Sequence, residues 1–369
     1  MSTERPARTG VAFGAAALLM APSLAAQEIP PLPPPGIDLP HVVLVSVGGE
    51  IATSCVVRLA RAGCEDAGGS IGPETWVRDL PDLRLVARIT TEDLRPLATG
   101  EGPALDRWRA AAGRLQTLAD DSGVDGVVVA YKTDGLAGTA WFMNLVVDTR
   151  KPIVFVGAQR PWSAVSGDGP LNLYDAARVA ADPAAGGKGV LVAANQEVHA
   201  ARDARKTDAY RMDAFESVDL GLIGVADPDV VRFFAEPTRR HTHRSEFLLP
   251  KLPESLPAVE IVPAYADAPG SAIDALVAAG AKGLVIDGAG PASLSGDQFE
   301  AVRRARAARV VVVATSPTRG GRVQQTAAIR ESGIISGDNL PPEKARTLLR
   351  LALSQTADPA EIQRIFDEY

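Results

Sequence analysis

The chain has 369 residues, a length that favours two domains over a single core. Hydrophobic residues make up 46% and charged residues 22%, the composition of an ordinary soluble globular protein. The formal net charge of −7 argues against a nucleic-acid-binding protein, which would carry a basic face, and is compatible with a small-molecule substrate.

The first 40 residues differ in character from the rest. Arg5 and Arg8 precede an apolar run at 11–20, and small residues follow at 23–26. This order is typical of a secretory signal peptide. We therefore expect a signal peptide at 1–26, a Pro-rich spacer at 27–40 and a periplasmic or secreted protein. The alternative is a retained N-terminal tether. No later stretch is apolar enough to span a bilayer, so no membrane partner is expected after processing.

Short apolar runs bounded by turn residues recur along the chain, with helix-compatible stretches between them. Runs that are apolar on both faces are typical of strands buried in a parallel sheet. The first strand candidates are 42–47, 126–130, 153–157 and 189–193, and the first helix candidates are 137–149 and 171–181. This alternation predicts a doubly wound α/β domain at 41–238.

A basic stretch at 239–244 and three prolines, Pro250, Pro253 and Pro257, predict an interdomain linker at 239–257. The alternation then repeats, with strands expected at 259–262, 283–286 and 310–314 and helices at 272–279, 296–308 and 342–354. The predicted fold class is therefore α/β, with a larger N-terminal domain built on a doubly wound, mostly parallel sheet. A smaller C-terminal α/β domain is placed at 258–369.

The cysteines Cys55 and Cys64 are the only two in the chain. In an oxidising compartment they could close a small surface loop, and the alternative is two unrelated thiols. Neither they nor the four histidines show the spacing of metal ligands. No G-x-G-x-x-G fingerprint or P-loop is present, so no metal and no cofactor are expected.

Two loops leave the predicted larger sheet at its carboxyl edge, where ligands of such sheets bind. One follows the first strand and carries Glu50, and the other follows strand 126–130 and carries Thr133 and Asp134. Thr-Asp pairs are also common at turns and helix N-caps. Their place after a buried strand is what makes them candidates for a site.

Six segments resemble motifs of the L-asparaginase family, in the same order along the chain. Segment 45–52, VSVGGEIA, resembles TGGTIA, and 131–135, YKTDG, lies where the family has HGTDT. Segments 151–161, KPIVFVGAQRP, and 166–174, SGDGPLNLY, are similar to KPVVxVGAxRP and SADGPxNLY. Segment 202–207 matches the region that supplies the catalytic lysine, and 342–353 resembles the final helix. The resemblance is to the secreted bacterial type.

This resemblance implies hydrolysis of the side-chain carboxamide of asparagine or a related small amide, with release of ammonia. The reaction needs a nucleophile, a group that removes its proton and donors for the oxyanion. The family's second threonine, its aspartate and its lysine correspond to Thr133, Asp134 and Lys206, and Asp134 would also receive the substrate's α-ammonium group. Thr91 and Glu92 stand where a serine and a glutamine bind the substrate. A homotetramer, as a dimer of dimers, is implied, with sites completed by a neighbour's smaller domain.

The site departs from the family pattern at several positions. Glu50 replaces the first threonine, which is the usual nucleophile, and Asp66 stands where the mobile loop should carry a tyrosine. In the smaller domain, Ser293 and Ala327 replace an asparagine and a glutamate that bind substrate. Added negative charge in the larger domain opposes binding of an α-carboxylate.

Two questions stay open from the sequence. Glu50 is either a structural plug, paired with Lys132, or a reacting carboxylate that acts as general base or nucleophile. The protein is either an amidohydrolase with altered substrate choice or a secreted pseudoenzyme, a small-ligand-binding protein on the asparaginase scaffold. Turnover of amides discriminates between these two functions.

Overall fold

A computed structural model describes residues 38–60, 63–64, 68–96 and 104–369. Its N-terminal part contains strands β1 His41–Ser46, β2 Thr53–Ser54, β3 Gly69–Ser70, β4 Arg88–Asp93, β5 Gly126–Ala130, β6 Ile153–Val156, β7 Val190–Ala194, β8 Glu197–Ala200, β9 Arg205–Lys206, β10 Phe215–Glu216, β11 Gly224–Ala226 and β12 Val231–Phe233. The helices of this part are α1 Pro73–Asp79, α2 Ala104–Asp120, α3 Thr133–Val146 and α4 Gly169–Ala181.

Eight of these strands form one sheet in the order β12-β11-β8-β7-β6-β5-β1-β4. The strands from β4 to β7 are parallel, and β8, β11 and β12 extend the sheet by antiparallel pairing. Helix α4 packs on one face and helices α2 and α3 pack on the other, so both faces are covered. Strands buried on both faces must be apolar throughout, as β5 and β7 are.

The C-terminal part forms a smaller parallel sheet in the order β13-β14-β15-β16. Its strands are β13 Val259–Pro263, β14 Gly283–Asp287, β15 Val311–Thr315 and β16 Ile335–Ser336, and its helices are α5 Ser271–Ala278, α6 Ala289–Ala292, α7 Gly296–Ala307, α8 Ala327–Ser332, α9 Pro342–Leu353 and α10 Pro359–Glu368. Helices α5 and α7 pack together over one face of this sheet, and α9 packs on β13, β14 and β15.

Helix α9 also contacts α3 of the larger domain. As a result, one buried apolar cluster runs from Val129 and Phe142 in the larger domain to Val285 and Leu348 in the smaller one. The two sheets therefore share part of their hydrophobic core.

The predicted α/β fold class is confirmed, and the predicted strands and helices are found within a few residues of their expected bounds. One expectation was wrong: Thr133 and Asp134 lie in the first turn of helix α3 rather than in a loop. A threonine and an aspartate fit this position, because the first turn of a helix favours acidic and hydroxyl side chains. Within the described ranges, no helix combines the length and apolar character needed to cross a membrane.

Candidate active site

The two loops predicted to carry the site meet because glycines allow their backbones to approach. Gly48 and Gly49 have φ values of 116° and 97°, in the region that only glycine adopts readily. A Cβ on Gly49 would lie 2.6 Å from the Cα of Lys132, so no larger residue fits there. This close approach sets Glu50 beside the start of helix α3.

Thr133 is buried, with 8% of its surface exposed. Its hydroxyl donates a hydrogen bond to Oε1 of Gln159 at 2.9 Å and accepts one from Nζ of Lys206 at 2.9 Å. The Gln159 amide is itself fixed, because its Nε2 donates to the carbonyl of Arg211 at 3.0 Å. The hydroxyl is thus held between an amide oxygen and an amine.

Lys206 also donates to Oδ1 of Asp134 at 2.7 Å. The Asp134 side chain is 84% exposed, whereas that of Lys206 is 17% exposed. The hydrogen bond and charge of Lys206 lower the pKa of Asp134, with a smaller contribution from Lys132. A hydroxyl, an amine and a carboxylate that are distant in sequence therefore meet at the carboxyl edge of the larger sheet.

Glu50 begins a short 3-10 turn, Glu50–Ala52, directly after the glycines. Its Oε2 is buried and has no hydrogen-bond partner among the described residues. Burial, and then the charge of Asp134, raise the pKa of this carboxyl group. Among the described residues, no ion pair joins Glu50 to Lys132. The Cε of Lys132 lies near Gly135, where an added Cβ would be 3.6 Å away.

The other two predicted site residues are bonded elsewhere. The Thr91 hydroxyl donates to Oε1 of Glu74 at 3.4 Å, and the Glu92 carboxylate accepts two hydrogen bonds from Arg114, at 2.6 and 2.8 Å. Thr91 and Glu92 are successive residues of β4, so their side chains point to opposite faces of the sheet. Among the described residues, no hydrogen bond or ion pair joins either to Thr133, Asp134 or Lys206.

Sequence reasoning missed two residues that support the site. Gln159 lies in the segment KPIVFVGAQRP, which carried the family resemblance but gave no role to this side chain. Lys344 is fully buried in α9, and its Nζ donates to the carbonyls of Ala201 and Arg202 at 2.8 Å each and of Ala204 at 2.5 Å. These carbonyls belong to the segment that leads into Lys206. No local pattern signals this role, since an isolated lysine is usually solvated.

Cys55 and Cys64 are joined by a disulfide, with their Cα atoms 5.4 Å apart. This resolves the choice left open by the sequence. Asp66, like residues 1–37, lies outside the described residues. Ala327 begins helix α8, and Ser293 forms an isolated bridge with Ala289. In the described part of the chain, no three His, Cys, Asp or Glu side chains could together hold a metal ion.

A buried threonine hydroxyl, an amine and a carboxylate at one edge of a parallel sheet are groups that nucleophilic catalysis can use. Comparison with known proteins identifies the family. Residues 41–239 match the family model described as "Asparaginase, N-terminal", and residues 258–366 match "Glutaminase/Asparaginase C-terminal domain". The chain therefore belongs to the asparaginase family, a family of amidohydrolases, and the predicted resemblance is confirmed.

Individual relatives cover most of the chain. L-asparaginase 2 of Bacillus subtilis is 37% identical over 90% of this chain and 87% of its own length. A probable periplasmic L-asparaginase of Haemophilus influenzae is 36% identical over 90% of this chain and 94% of its own. The crystal structure of a probable cytoplasmic L-asparaginase from Campylobacter jejuni has a TM-score of 0.80 and 34% identity, covering 89% of this chain and all of that one.

Proposed function

We propose that this protein hydrolyses the side-chain carboxamide of asparagine or a related small amide and releases ammonia. The observation that carries the proposal is the position of the Lys206 amine, 2.9 Å from the Thr133 hydroxyl and 2.7 Å from the Asp134 carboxylate. The names of the relatives support the substrate class.

In this proposal Thr133 is the nucleophile. Its Oγ1 attacks the carboxamide carbon as the hydroxyl proton passes, by way of the Lys206 amine, to the Asp134 carboxylate. Lys206 thus relays the proton, and Asp134 holds it until the leaving nitrogen takes it up. The first backbone N–H groups of helix α3, which have no partners within the helix, supply positive potential for the developing oxyanion. The C–N bond then breaks as the proton passes to the leaving nitrogen, which departs as ammonia, and water hydrolyses the resulting ester to the carboxylic acid.

Glu50 gives the site its altered character. A carboxyl group with a raised pKa, close enough to Asp134 to feel its charge, suits general acid–base catalysis. We therefore propose that Glu50 takes part in proton transfer, for example from the hydrolytic water. Glu50→Gln should then lower kcat by about 100-fold. Unchanged turnover would instead make Glu50 a plug that fills the place of the family's first threonine.

Ammonia release tests the proposed function directly. The purified protein is assayed with asparagine, glutamine and small amides, beside Thr133→Ala and the matched control Thr133→Ser. The proposal expects turnover of at least one amide, loss of turnover in the alanine variant and partial activity in the serine variant. Saturable amide binding without any ammonia would favour the alternative, a pseudoenzyme that binds small ligands.

We also propose export and assembly. The Cys55–Cys64 disulfide fits an oxidising compartment, and one relative is named as periplasmic, although another is named as cytoplasmic. The proposed chain organisation is a signal peptide at 1–26, a spacer at 27–40, a larger domain at 41–238, a linker at 239–257 and a smaller domain at 258–369. The proposed assembly is a homotetramer. N-terminal sequencing of the periplasmic fraction tests processing near residue 26, and light scattering tests the tetramer.

Thr91 and Glu92 remain proposed substrate-binding residues. The effect of substituting each of them on KM tests this role.

A further inference from the structure

A cavity of about 410 Å³ lies on the face of the larger sheet that is covered by helices α2 and α3. Its wall is mostly apolar and partly aromatic, and it includes Trp108, Leu115, Val129, Met143 and Phe155. This volume falls within the range of pockets that bind small molecules. The proposed mechanism does not use this cavity, although Gly48 and Gly49 are among its lining residues.

Two polar groups distinguish the cavity from a packing defect. Thr139 of helix α3 is 2% exposed and lines the cavity, yet its hydroxyl has no hydrogen-bond partner in the described part of the chain. A buried hydroxyl without a partner is costly, and a bound ligand would satisfy it. The second group is Lys132, an exposed residue that also lines the cavity. Its charge acts on Asp134, but among the described residues its ammonium forms no side-chain hydrogen bond or salt bridge.

The distance between these two groups limits the length of the ligand. Lys132 is the N-cap of helix α3 and Thr139 lies seven residues later. At about 1.5 Å per residue, they are about 10 Å apart along the helix. The ammonium of Lys132 attracts an anion at the solvent end of the cavity. The aromatic walls favour a flat ring between the two polar groups.

We propose that this cavity binds an aromatic carboxylate whose ring bears a hydrogen-bonding group. The carboxylate pairs with Lys132, the ring packs on Trp108 and Phe155, and the group on the ring bonds the Thr139 hydroxyl. Because Lys132 is in close contact with Gly49, such a ligand would also touch the loop that carries Glu50. The site is thus placed to couple ligand binding to the catalytic loop.

Isothermal titration calorimetry of the full-length protein tests the site without any turnover. The probes are 4-phenylbutyrate, 4-(4-hydroxyphenyl)butyrate and 4-phenylbutylamine. We expect both acids to bind saturably and the amine to bind at least about tenfold more weakly. The hydroxylated acid should bind more tightly than the plain acid. Absence of binding by both acids, or equal binding of acid and amine, would overturn the proposal.

Two variants assign the contacts. Lys132→Met should weaken both acids about tenfold and remove the preference over the amine. The near-isosteric Thr139→Val should leave 4-phenylbutyrate unchanged and abolish the advantage of the hydroxylated acid. Unaltered affinities in both variants would place the ligand elsewhere and refute the site. The same titrations in Thr133→Ala, which removes the proposed nucleophile, show that binding is separate from amide hydrolysis.

Discussion

The Lys206 amine contacts both a hydroxyl and a carboxylate, and this arrangement explains little of the protein's stability. An ion pair with a largely exposed carboxylate contributes at most about 1 kcal/mol. The ion pair matters for orientation instead, because Asp134 holds the amine against the buried hydroxyl of Thr133. Glu50, in contrast, should affect stability, because one of its carboxylate oxygens is buried and has no hydrogen-bond partner among the described residues.

This burial makes a pH-dependent prediction for Glu50→Gln. Burial and Asp134 raise the pKa of Glu50, so the folded protein holds this proton more tightly than the unfolded chain does. The contribution of Glu50 to stability is therefore fully present below the ordinary glutamate pKa and is lost as pH rises through the raised value. The glutamine variant stays neutral, so it should have a higher Tm than the native protein at pH values above the raised pKa of Glu50. Thermal unfolding from about pH 4 to about pH 8 measures the difference. A Tm difference that is independent of pH would contradict the prediction.

At the residue scale, Thr133, Asp134 and Lys206 could be named from the sequence because each lies in a motif of the family. The surroundings of the Glu50 and Glu92 carboxylates could not be predicted from the sequence. Lys132 was a plausible partner for Glu50 by proximity, but its side chain turns toward helix α3. Arg114 lies 22 residues from Glu92 on a different element, so only the packed structure pairs them.

Helix α9 links the smaller domain to the segment that carries Lys206. Lys344 donates to three carbonyls of residues 201–204, and its burial lowers its pKa to about 7. A buried ammonium with three acceptors satisfies groups that would otherwise be unpaired. We regard Lys344 as a positioning residue that acts on Lys206 through the backbone.

Lys344→Met should therefore reduce both stability and kcat. Removing the ammonium leaves three buried carbonyls without their donor. The variant no longer has to bury a charge, but this offsets only part of the cost. We therefore expect the free energy of unfolding to fall by about 2–4 kcal/mol. Chemical denaturation and ammonia-release kinetics measure the two effects. Lys282→Met, at an exposed position of the same domain, is the matched control. Native kcat in a folded Lys344→Met protein would refute the positioning role.

At the element scale, long apolar strands were predictable and short or irregular elements were not. Strands β5 and β14 are apolar runs that only a buried strand explains. The start of α3 was missed because Thr133, Asp134 and Gly135 favour turns when taken alone. The antiparallel strands β11 and β12 have three residues each, too few for periodicity to show.

The whole molecule is organised around a core that both sheets share. Residues of β5 and α3 belong to the same buried cluster as residues of β14 and α9. The larger domain therefore cannot keep its native packing once the smaller one unfolds. Composition and alternation predicted the two sheets, but not the contact of α9 with α3, which depends on how the domains dock.

This shared core predicts a single cooperative unfolding transition. Scanning calorimetry of the purified protein should give one endotherm, with calorimetric and van't Hoff enthalpies in agreement for the folding unit. Two resolved endotherms at separate temperatures would show that the domains unfold independently.

The rate of ammonia release by Lys206→Met is the most direct test of whether Thr133, Asp134 and Lys206 form a catalytic site. The matched control is Lys251→Met, at an exposed lysine in the predicted linker. We expect kcat to fall by a factor of about 10²–10⁴ in Lys206→Met, while the control keeps the native rate and both variants keep the native fold. A Lys206→Met protein that releases ammonia at the native rate would contradict a catalytic role for Lys206.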